Sequence, residues 1–293
     1  MEIKINGIAA DITLESEKTI GEIMAGVQQW LDNTSTTAGI YISGLEIDGK
    51  ENEHSTLDMA FEYPLDSISS INIKTSTWAE LMLMALFELR NDLDYWDTQN
   101  KEDRQQNRQR WEQSARAVFL QRQEPNLFQM ILAALEEREL AISKTDLNGI
   151  LSERIREIEN PSQEISALKP ITEEIAKRLE DMPLDMQTGK DLKAAETITL
   201  FSGLTEKIFR LIFLFSHFGT DIKSIQLDSI NGSEQQSLSG SIEEFKAALK
   251  ELITAYENKD TVLVGDLAEY ELAPRLRSLT SALCNIKYGE KAE

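Results

Sequence analysis

The stretch DLKAAETITLFSGLTEKIFRLIFLFSHFG, from Asp191 to Gly219, is the most apolar segment of the chain. Its apolar residues recur at helical spacing and its polar residues form only a narrow stripe, which predicts one long helix buried on nearly every side. The main apolar face consists of Phe201, Leu204, Ile208, Leu211, Ile212, Phe215 and Phe218. Phe209 and Phe213 lie off that face, and we expect their removal to destabilise the fold about as much as removal of Leu211.

A segment this apolar could belong to a membrane or to a protein core. Its longest uninterrupted apolar run, Leu211 to Phe215, has five residues, whereas a membrane span needs about 20 predominantly apolar ones. Glu206, Lys207 and Arg210 would also lie near the middle of any span, at a high energetic cost. We therefore predict the central helix of a helical bundle and no membrane span.

The overall charge of the chain limits its partners. The 293 residues carry a formal net charge of −21, with 41% hydrophobic and 28% charged residues. This length is enough for about two domains. Because nucleic acids and anionic membranes both attract basic surfaces, so acidic a chain predicts that neither is its main partner.

The cysteine content and the N-terminal sequence point to one compartment. Cys284 is the single cysteine, so no disulfide can form within the chain, as is typical of a reducing environment. The opening residues, MEIKINGIAADITLE, show neither the basic start nor the apolar run of a signal peptide. We expect a cytoplasmic protein.

Residues 1–76 differ in pattern from the rest of the chain. Two alternating segments flank Asn6-Gly7, which is a strong two-residue hairpin signal. Thr19 and Glu22 have the spacing of a capping box, and the helix that follows places apolar residues on one face. A strand, an Asp48-Gly49 turn, a loop and a last strand complete the segment. The predicted apolar helix face consists of Ile20, Ile23, Met24, Val27, Trp30 and Leu31.

This order of hairpin, helix, strand, irregular stretch and strand resembles a ubiquitin-like β-grasp domain. Members of that superfold that act as covalent carriers end in a free Gly-Gly, whereas here SINIKTSTWAEL continues into a helix. The resemblance therefore implies a docking or scaffolding module rather than a carrier. A fold by itself implies no activity.

Residues 77–293 are predicted to form an all-α bundle of about seven or eight helices, which makes the whole chain α+β. Thr188 is the expected N-cap of the central helix and Gly219 its expected C-cap. Residues 220–240 fit either a short helix or a hairpin at Asn231-Gly232, and Pro274 should kink or split the last helix. Other helices are expected over 78–96, 111–123, 126–142, 146–158 and 162–179, with Ser162 as the cap of the last and a boundary at Met182-Pro183. The last hundred residues also resemble parts of uncharacterised bacterial cytoplasmic proteins, which implies no activity.

No motif in the sequence indicates a particular reaction. The histidines are His54 and His217, in different predicted domains, and no CxxC, HExxH, GxGxxG, Walker A or GxSxG pattern is present. We therefore predict no catalytic residue and no cofactor. The nearest candidates for a metal site are Asp266 and Glu269, which share a helix face with Tyr270 and could hold a cation or act as acid and base. Solvation, or pairing with nearby arginines, is the alternative.

A locally basic stretch, residues 101–122, stands out in this acidic chain. It could form a docking face for an acidic partner, or it could pair with an acidic helix of the same chain. The candidate partner-binding residues are Arg104, Arg108, Arg110, Trp111 and Arg116.

These observations favour a non-catalytic cytoplasmic protein that binds another protein, as an adaptor, scaffold or chaperone-like binder. A protein that guards an export substrate, like bacterial secretion or flagellar chaperones, is a specific version of this hypothesis. The alternative is an enzyme that uses carboxylates and Mg²⁺, centred on Asp266 and Glu269. The sequence identifies neither the partner nor the oligomeric state.

Overall fold

A computed structural model describes residues 1–10, 12, 17–34, 39–52, 62–96, 98–138, 142–218, 225–227 and 236–286. The chain divides into two compact units, Met1–Ile158 and Glu159–Glu293. Among the described residues, the first unit combines a five-stranded sheet with helices, and the second is helical apart from two short strands. This is the predicted α+β class. The expected domain boundary at residue 76 stays a prediction.

The sheet of the first unit has the strand order β2-β1-β5-β3-β4, with one helix across it. Strands β1 and β5 are parallel, and the other neighbouring pairs are antiparallel. This order, with its parallel central pair, is the arrangement of a β-grasp fold, so the fold prediction for this region is confirmed. The elements are β1 (Glu2–Ile5), β2 (Ile8–Ala9), α1 (Ile20–Thr34), β3 (Ile40–Ile47), β4 (Lys50–Asn52), a 3₁₀ turn (Leu65–Ser67) and β5 (Ser70–Thr77).

Both predicted tight turns are present. Asn6 and Gly7 have φ values of 50° and 79°, and Asp48 and Gly49 have values of 49° and 77°. Two successive residues with positive φ are the signature of the hairpin turn that matches the twist of its strands. The second turn joins β3 to β4, a strand that the sequence did not predict.

A β-bulge keeps the core face of β3 continuous. The register against β5 shifts between Ile42 and Gly44, so one extra residue is inserted and the side-chain alternation changes phase. As a result Ile42 and Leu45 both pack on the core, although they are three residues apart. The buried core consists of Ile3, Ile20, Ile23, Met24, Val27, Leu31, Leu45, Ile71 and Ile73.

The helices of the first unit follow directly on the sheet, since β5 ends at Thr77 and the next helix begins at Trp78. Tyr41 of β3 meets Phe119 edge-on, with ring centroids 5.5 Å apart, and the Trp78 indole N–H donates to Gln123 at 3.1 Å. The sheet and these helices are thus packed within one unit. The helices are α2 (Trp78–Trp96), α3 (Lys101–Glu112), α4 (Ala115–Gln123), α5 (Pro125–Leu135) and α6 (Lys144–Glu159).

The second unit is built around two long helices, α7 (Pro161–Gln187) and α8 (Asp191–His217). No helix among the described residues combines the length and apolarity needed to cross a membrane. The remaining elements are β6 (Gln226–Leu227), β7 (Gln236–Ser237), α9 (Leu238–Glu257), α10 (Thr261–Asp266), a π-helical turn (Leu267–Leu272) and α11 (Ala273–Asn285).

Helix α7 corrects the prediction of a helix from Ser162 to about residue 179. It begins with Pro161 after Asn160 and continues through Pro183. A proline inside a helix loses a backbone bond, but here its ring packs closely on a neighbouring segment. A Cβ atom added at Gly265 would lie 3.1 Å from the Cβ of Pro183. This tertiary contact supports the helix where the local rule predicts a boundary.

Helix α8 matches the predicted central helix, with two corrections. Thr188 is the C-cap of α7, and Lys190 occupies the N-cap position of α8. The expectation of burial on nearly every side is also wrong, because Phe213 is 45% exposed and Leu192 is 89% exposed. Helices α7 and α11 pack against α8, as does α9 through the ring of Phe245, and they leave this side uncovered within the described part of the chain. The expected C-cap, Gly219, lies outside the described residues.

The uncertain segment before α9 contains a small hairpin. Strands β6 and β7 pair antiparallel, with Leu227 opposite Gln236. This agrees with the hairpin alternative of the prediction, while the Asn231-Gly232 turn itself lies outside the described residues.

Pro274 follows a widened, π-helical turn. The N–H of Ala273 donates to the carbonyl of Ala268, five residues earlier. A regular α-helix would require an N–H at position 274, which proline lacks, and would press the proline ring on the carbonyl of Tyr270. The wide turn relieves both problems. The sequence predicted a kink or split here, and the structure instead has a π-helical turn that leads into α11.

Candidate functional site

An apolar groove lies between helix α1 and the β1–β2 hairpin in the first unit. It encloses about 440 Å³, which is within the usual range of ligand-binding clefts. Of the nine described residues that line it, seven are apolar or glycine and two are glutamates. The lining residues are Ile5, Ala10, Ile12, Glu17, Glu22, Ile23, Gly26, Val27 and Trp30.

The hairpin wall of the groove is held by its turn. The side chain of Asn6 donates to the Thr75 hydroxyl and accepts from the Thr75 backbone N–H, both at 2.8 Å. The Gly7 N–H donates to the side chain of Asn72 at 2.8 Å. The tight turn is therefore tied to β5, which fixes the position of β2 relative to the core.

The helix wall begins at a reciprocal cap. The Glu22 N–H donates to the Thr19 hydroxyl at 3.4 Å, and the Thr19 N–H donates to the Glu22 carboxylate at 3.3 Å. This is the predicted capping box, which satisfies two backbone donors that a helix start leaves unpaired. The cap fixes where α1 begins and hence which of its residues face the groove.

Gly26 forms part of the helix wall and has open space in front of it. A Cβ atom added there would have no heavy atom within 4 Å outside the local helix. Glycine in a helix interior costs about 0.5–1 kcal/mol relative to alanine. At this position the absence of a side chain widens the groove.

Trp30 lies at the end of the groove and corrects the predicted helix face. Its side chain was expected in the core, but it is 54% exposed, whereas its neighbour Leu31 is buried. The helical period places Trp30 at the edge of the apolar face, where it borders the groove. Ile8 and Ile12, on the hairpin side, are also exposed, at 74% and 36%.

The described lining of the groove carries negative charge and no basic residue. Glu17 and Glu22 are its two charged lining residues. In the sequence, residues 10–32 contain five acidic residues and one basic residue, Lys18. A ligand that enters this groove therefore meets apolar walls and an acidic rim.

The predicted basic docking face is largely engaged in contacts within the first unit. Arg104 pairs with Glu137 at 2.9 Å, Arg108 with Glu136 at 2.6 Å, and Arg116 with Glu88. These contacts agree with the alternative in which the basic stretch pairs with acidic residues of the same chain.

The other two candidates of the basic stretch differ from each other. Trp111 is buried and stacks on Phe128 with ring centroids 5.5 Å apart, while Arg110 is exposed on α3. Binding of an acidic partner by these five residues stays a prediction.

The acidic candidates lie at the π-helical turn. Asp266 ends α10, and Glu269 lies within the turn. The Glu269 carboxylate accepts a hydrogen bond from Tyr270 and raises the pKa of that phenol. Among the described residues, no group of three histidine, cysteine, aspartate or glutamate side chains is placed to hold a metal ion. A role for Asp266 and Glu269 in metal binding or catalysis stays a prediction.

Burial affects the described histidine and the cysteine. It lowers the pKa of His217 and raises the pKa of the Cys284 thiol. Each shift disfavours the charged form, which is the effect expected of partly buried groups. His54 lies outside the described residues.

Comparison with known proteins places the groove in a region of recognisable similarity. Residues 1–77 match the family model described as the TP0873 N-terminal domain, and residues 163–282 match a domain of unknown function (DUF8042). The chain is also 23% identical over 289 residues to an uncharacterized protein of Treponema pallidum (strain Nichols), covering 99% of each chain. No solved structure matches it. These similarities agree with a small sheet domain followed by a helical remainder, and they imply no activity.

Two residues of α1 are a sequence signal for the groove. Gly26 interrupts an otherwise well-formed amphipathic helix, and Trp30 lies at the edge of its apolar face. A glycine with negative φ in mid-helix often marks a place where something approaches closely or space is needed. The groove itself depends on how the hairpin meets the helix, which no local pattern specifies.

Proposed function

We propose that this protein is a non-catalytic interaction module that binds a segment of another protein in the groove between α1 and the β1–β2 hairpin. The observation that carries the proposal is the open space at Gly26, bordered by the exposed side chains of Trp30 and Ile12. Exposed apolar side chains grouped around a concave surface are typical of binding sites.

The chemistry of the lining favours binding over catalysis. Among its described lining residues, the groove offers no histidine, cysteine, serine, lysine or arginine. Of its two carboxylates, Glu22 is engaged in the helix cap. Binding without reaction is what an adaptor, scaffold or chaperone-like protein does, and we propose the cytoplasm as the compartment because one cysteine suits a reducing environment.

The proposal is tested by filling the groove without disturbing the fold. Gly26→Leu adds a side chain at a position where a Cβ atom would have no heavy atom within 4 Å outside the local helix. Gly149→Leu is the matched control, because Gly149 is also an exposed helical glycine with open space around its Cβ position. Both variants should fold, which circular dichroism and the unfolding midpoint will verify.

A displayed library of random short peptides serves as the ligand source. Peptides are selected on the wild-type protein and then tested on the two variants. We expect enriched peptides that bind the wild type and Gly149→Leu but lose at least about tenfold in affinity, or about 1.4 kcal/mol, on Gly26→Leu. If no enriched peptide distinguishes Gly26→Leu from Gly149→Leu, the groove is not a binding site and the proposal is overturned.

A further inference from the structure

We infer that the occupant of this groove is an extended segment with alternating apolar and basic residues, which adds as a strand to the edge of β2. The inference rests on the proposed function and specifies the chemical class of the ligand. Three features carry it, namely the main chain of β2, the alternation of its side chains and the charge of the groove.

The main chain of β2 offers outward-facing hydrogen-bonding groups. In the described sheet β2 is an outermost strand and pairs only with β1. The Ala10 N–H donates to the Ile3 carbonyl at 2.9 Å, and Ile8 is opposite Ile5 across the two-residue turn. In an antiparallel ladder the residue between two bonded positions directs its N–H and C=O away from the partner strand. That residue is Ala9, so an added strand would find a donor and an acceptor there.

The side chains of this edge alternate in the way that an added strand requires. Ile5 lines the groove, and its cross-strand partner Ile8 lies on the same side of the sheet. Ala10 and Ile12, two and four residues after Ile8, also line the groove. Neighbouring strands lie about 4.8 Å apart, so every second side chain of an added strand would enter the groove and approach Gly26.

An extended segment uses both features of this edge, whereas a helix uses only one. A helix satisfies its own backbone bonds, so it would leave the outward groups of Ala9 to water. A strand pairs with Ala9 and places alternate side chains between Val27, Trp30 and the hairpin. Main-chain pairing with pockets for alternate side chains is the general mode of strand addition.

The charge of the groove selects basic residues between the apolar ones. Glu17 and Glu22 are the charged lining residues, and the chain as a whole carries a net charge of −21. Complementary charge speeds the encounter and disfavours acidic competitors. Because successive side chains of a strand point to opposite faces, the apolar side chains would fill the groove and the lysine or arginine side chains between them would lie on the solvent side, where the net negative charge of the chain attracts them.

The test uses capped synthetic peptides of one length. The first alternates valine and lysine, the second alternates valine and glutamate, and the third repeats the valine–lysine sequence with alternate backbone nitrogens methylated on the edge that would pair with β2. Trp30 reports binding, because it is half-exposed while Trp78, Trp96 and Trp111 are buried. Binding should shift its emission to shorter wavelength and reduce its quenching by acrylamide.

We expect the valine–lysine peptide to bind the wild type and Gly149→Leu, and to bind at least about tenfold more weakly to Gly26→Leu. The valine–glutamate and methylated peptides should also be at least about tenfold weaker, and the signal should vanish in Trp30→Phe. The two glycine variants have the same charge, so nonspecific attraction of a basic peptide to an acidic protein cannot produce the difference between them.

The outcomes separate this inference from the proposed function. Equal binding of the valine–glutamate peptide, or undiminished binding of the methylated peptide, would overturn the inference. Failure of the valine–lysine peptide to bind would overturn it too. In each case the proposed function still holds if library peptides depend on Gly26. If no library peptide distinguishes Gly26→Leu from Gly149→Leu, both are wrong.

Discussion

Substitution of Phe213 and Phe215 by alanine should have very different effects, although the two residues lie on the same helix, α8. Phe215 has no exposed surface, whereas Phe213 is 45% exposed. The ring of Phe213 contacts the ring of His217 edge-on, with centroids 4.4 Å apart, so it keeps part of its packing. Comparing the two alanine variants therefore tests whether other parts of the protein cover the side of α8 that carries Phe213.

The expected magnitudes follow from burial. Removing a fully buried phenylalanine costs about 3–5 kcal/mol, because a cavity remains, and this is the expectation for Phe215→Ala. Complete burial of such a side chain contributes about 1.5–3 kcal/mol, so the buried half of Phe213 contributes roughly 1–1.5 kcal/mol. The higher helix propensity of alanine offsets a few tenths of a kcal/mol of this loss in stability. A difference of at least about 2 kcal/mol, or roughly 30-fold in the unfolding equilibrium, should separate the variants.

Urea unfolding, monitored by far-UV circular dichroism, measures the loss in unfolding free energy, since this signal reports on the helices. All four tryptophans belong to residues 1–158, so tryptophan emission follows the first unit and serves as an internal reference in the same samples. Leu211→Ala is the matched control for a fully buried position. The variants should keep the wild-type slope of free energy against urea, which would show that the exposed surface on unfolding is unchanged.

Equal losses for Phe213→Ala and Phe215→Ala would refute the reasoning. That result would mean that Phe213 is covered as completely as Phe215 in solution, and that the original expectation of a helix buried on nearly every side was right. A nearly silent Phe215→Ala would also contradict it, since no side chain with so little exposure should be dispensable.

Three further predictions concern other parts of the chain. Gly26→Ala should raise stability by about 0.5–1 kcal/mol, seen as a higher urea midpoint in tryptophan emission; a lower midpoint would mean that a neighbour fills the space. Asp185→Asn should destabilise the protein at neutral pH, because bonds from Lys193 and a second lysine hold the pKa of Asp185 below its usual range. A carboxylate with a lowered pKa stabilises the fold above its unfolded pKa of about 3.9 and loses this effect as the pH falls through the folded pKa. The difference in unfolding free energy between Asp185→Asn and wild type, measured by denaturant titration, should therefore shrink in acid. A difference that does not change with pH would contradict this account. Glu269→Gln should lower the pKa of Tyr270 toward its usual value, as measured by tyrosinate absorbance, because the hydrogen bond to the Glu269 carboxylate is the main cause of the raised pKa; an unchanged titration would show that the bond is absent.

The parts of the fold that the sequence predicted well depend on short-range chemistry. The Asn6-Gly7 turn requires two residues that tolerate positive φ, and the Thr19–Glu22 cap requires two side chains at a fixed spacing. Such signals need only neighbours in sequence. The observed strand order agrees with the β-grasp resemblance, which rested on the order of elements along the chain.

The wrong predictions each depend on contacts between distant residues. The local rule ended a helix near Pro183, but packing on Gly265, which is 82 residues later in the chain, supports its continuation. The helical period placed Trp30 in the core, but its side chain borders the groove and is 54% exposed. The groove was missed for the same reason, since it is the space between α1 and a hairpin whose angle is set by bonds to Thr75 and Asn72.

The π-helical turn before Pro274 has a consequence for the length of this chain. A π-helical turn accommodates one residue more than an α-helix of the same rise, and that extra residue rotates everything after it by about 100° relative to a continuous α-helix. Helix α10, the turn and α11 nevertheless all pack on α7. The apolar residues before the turn and those after it therefore follow the helical period with an offset of one residue. Deleting one residue of the turn together with Pro274→Ala should produce an unbroken helix that keeps both faces on α7, whereas Pro274→Ala alone removes the reason for the wide turn but leaves the surplus residue in place. The single extra residue thus sets which face of α11 packs on α7.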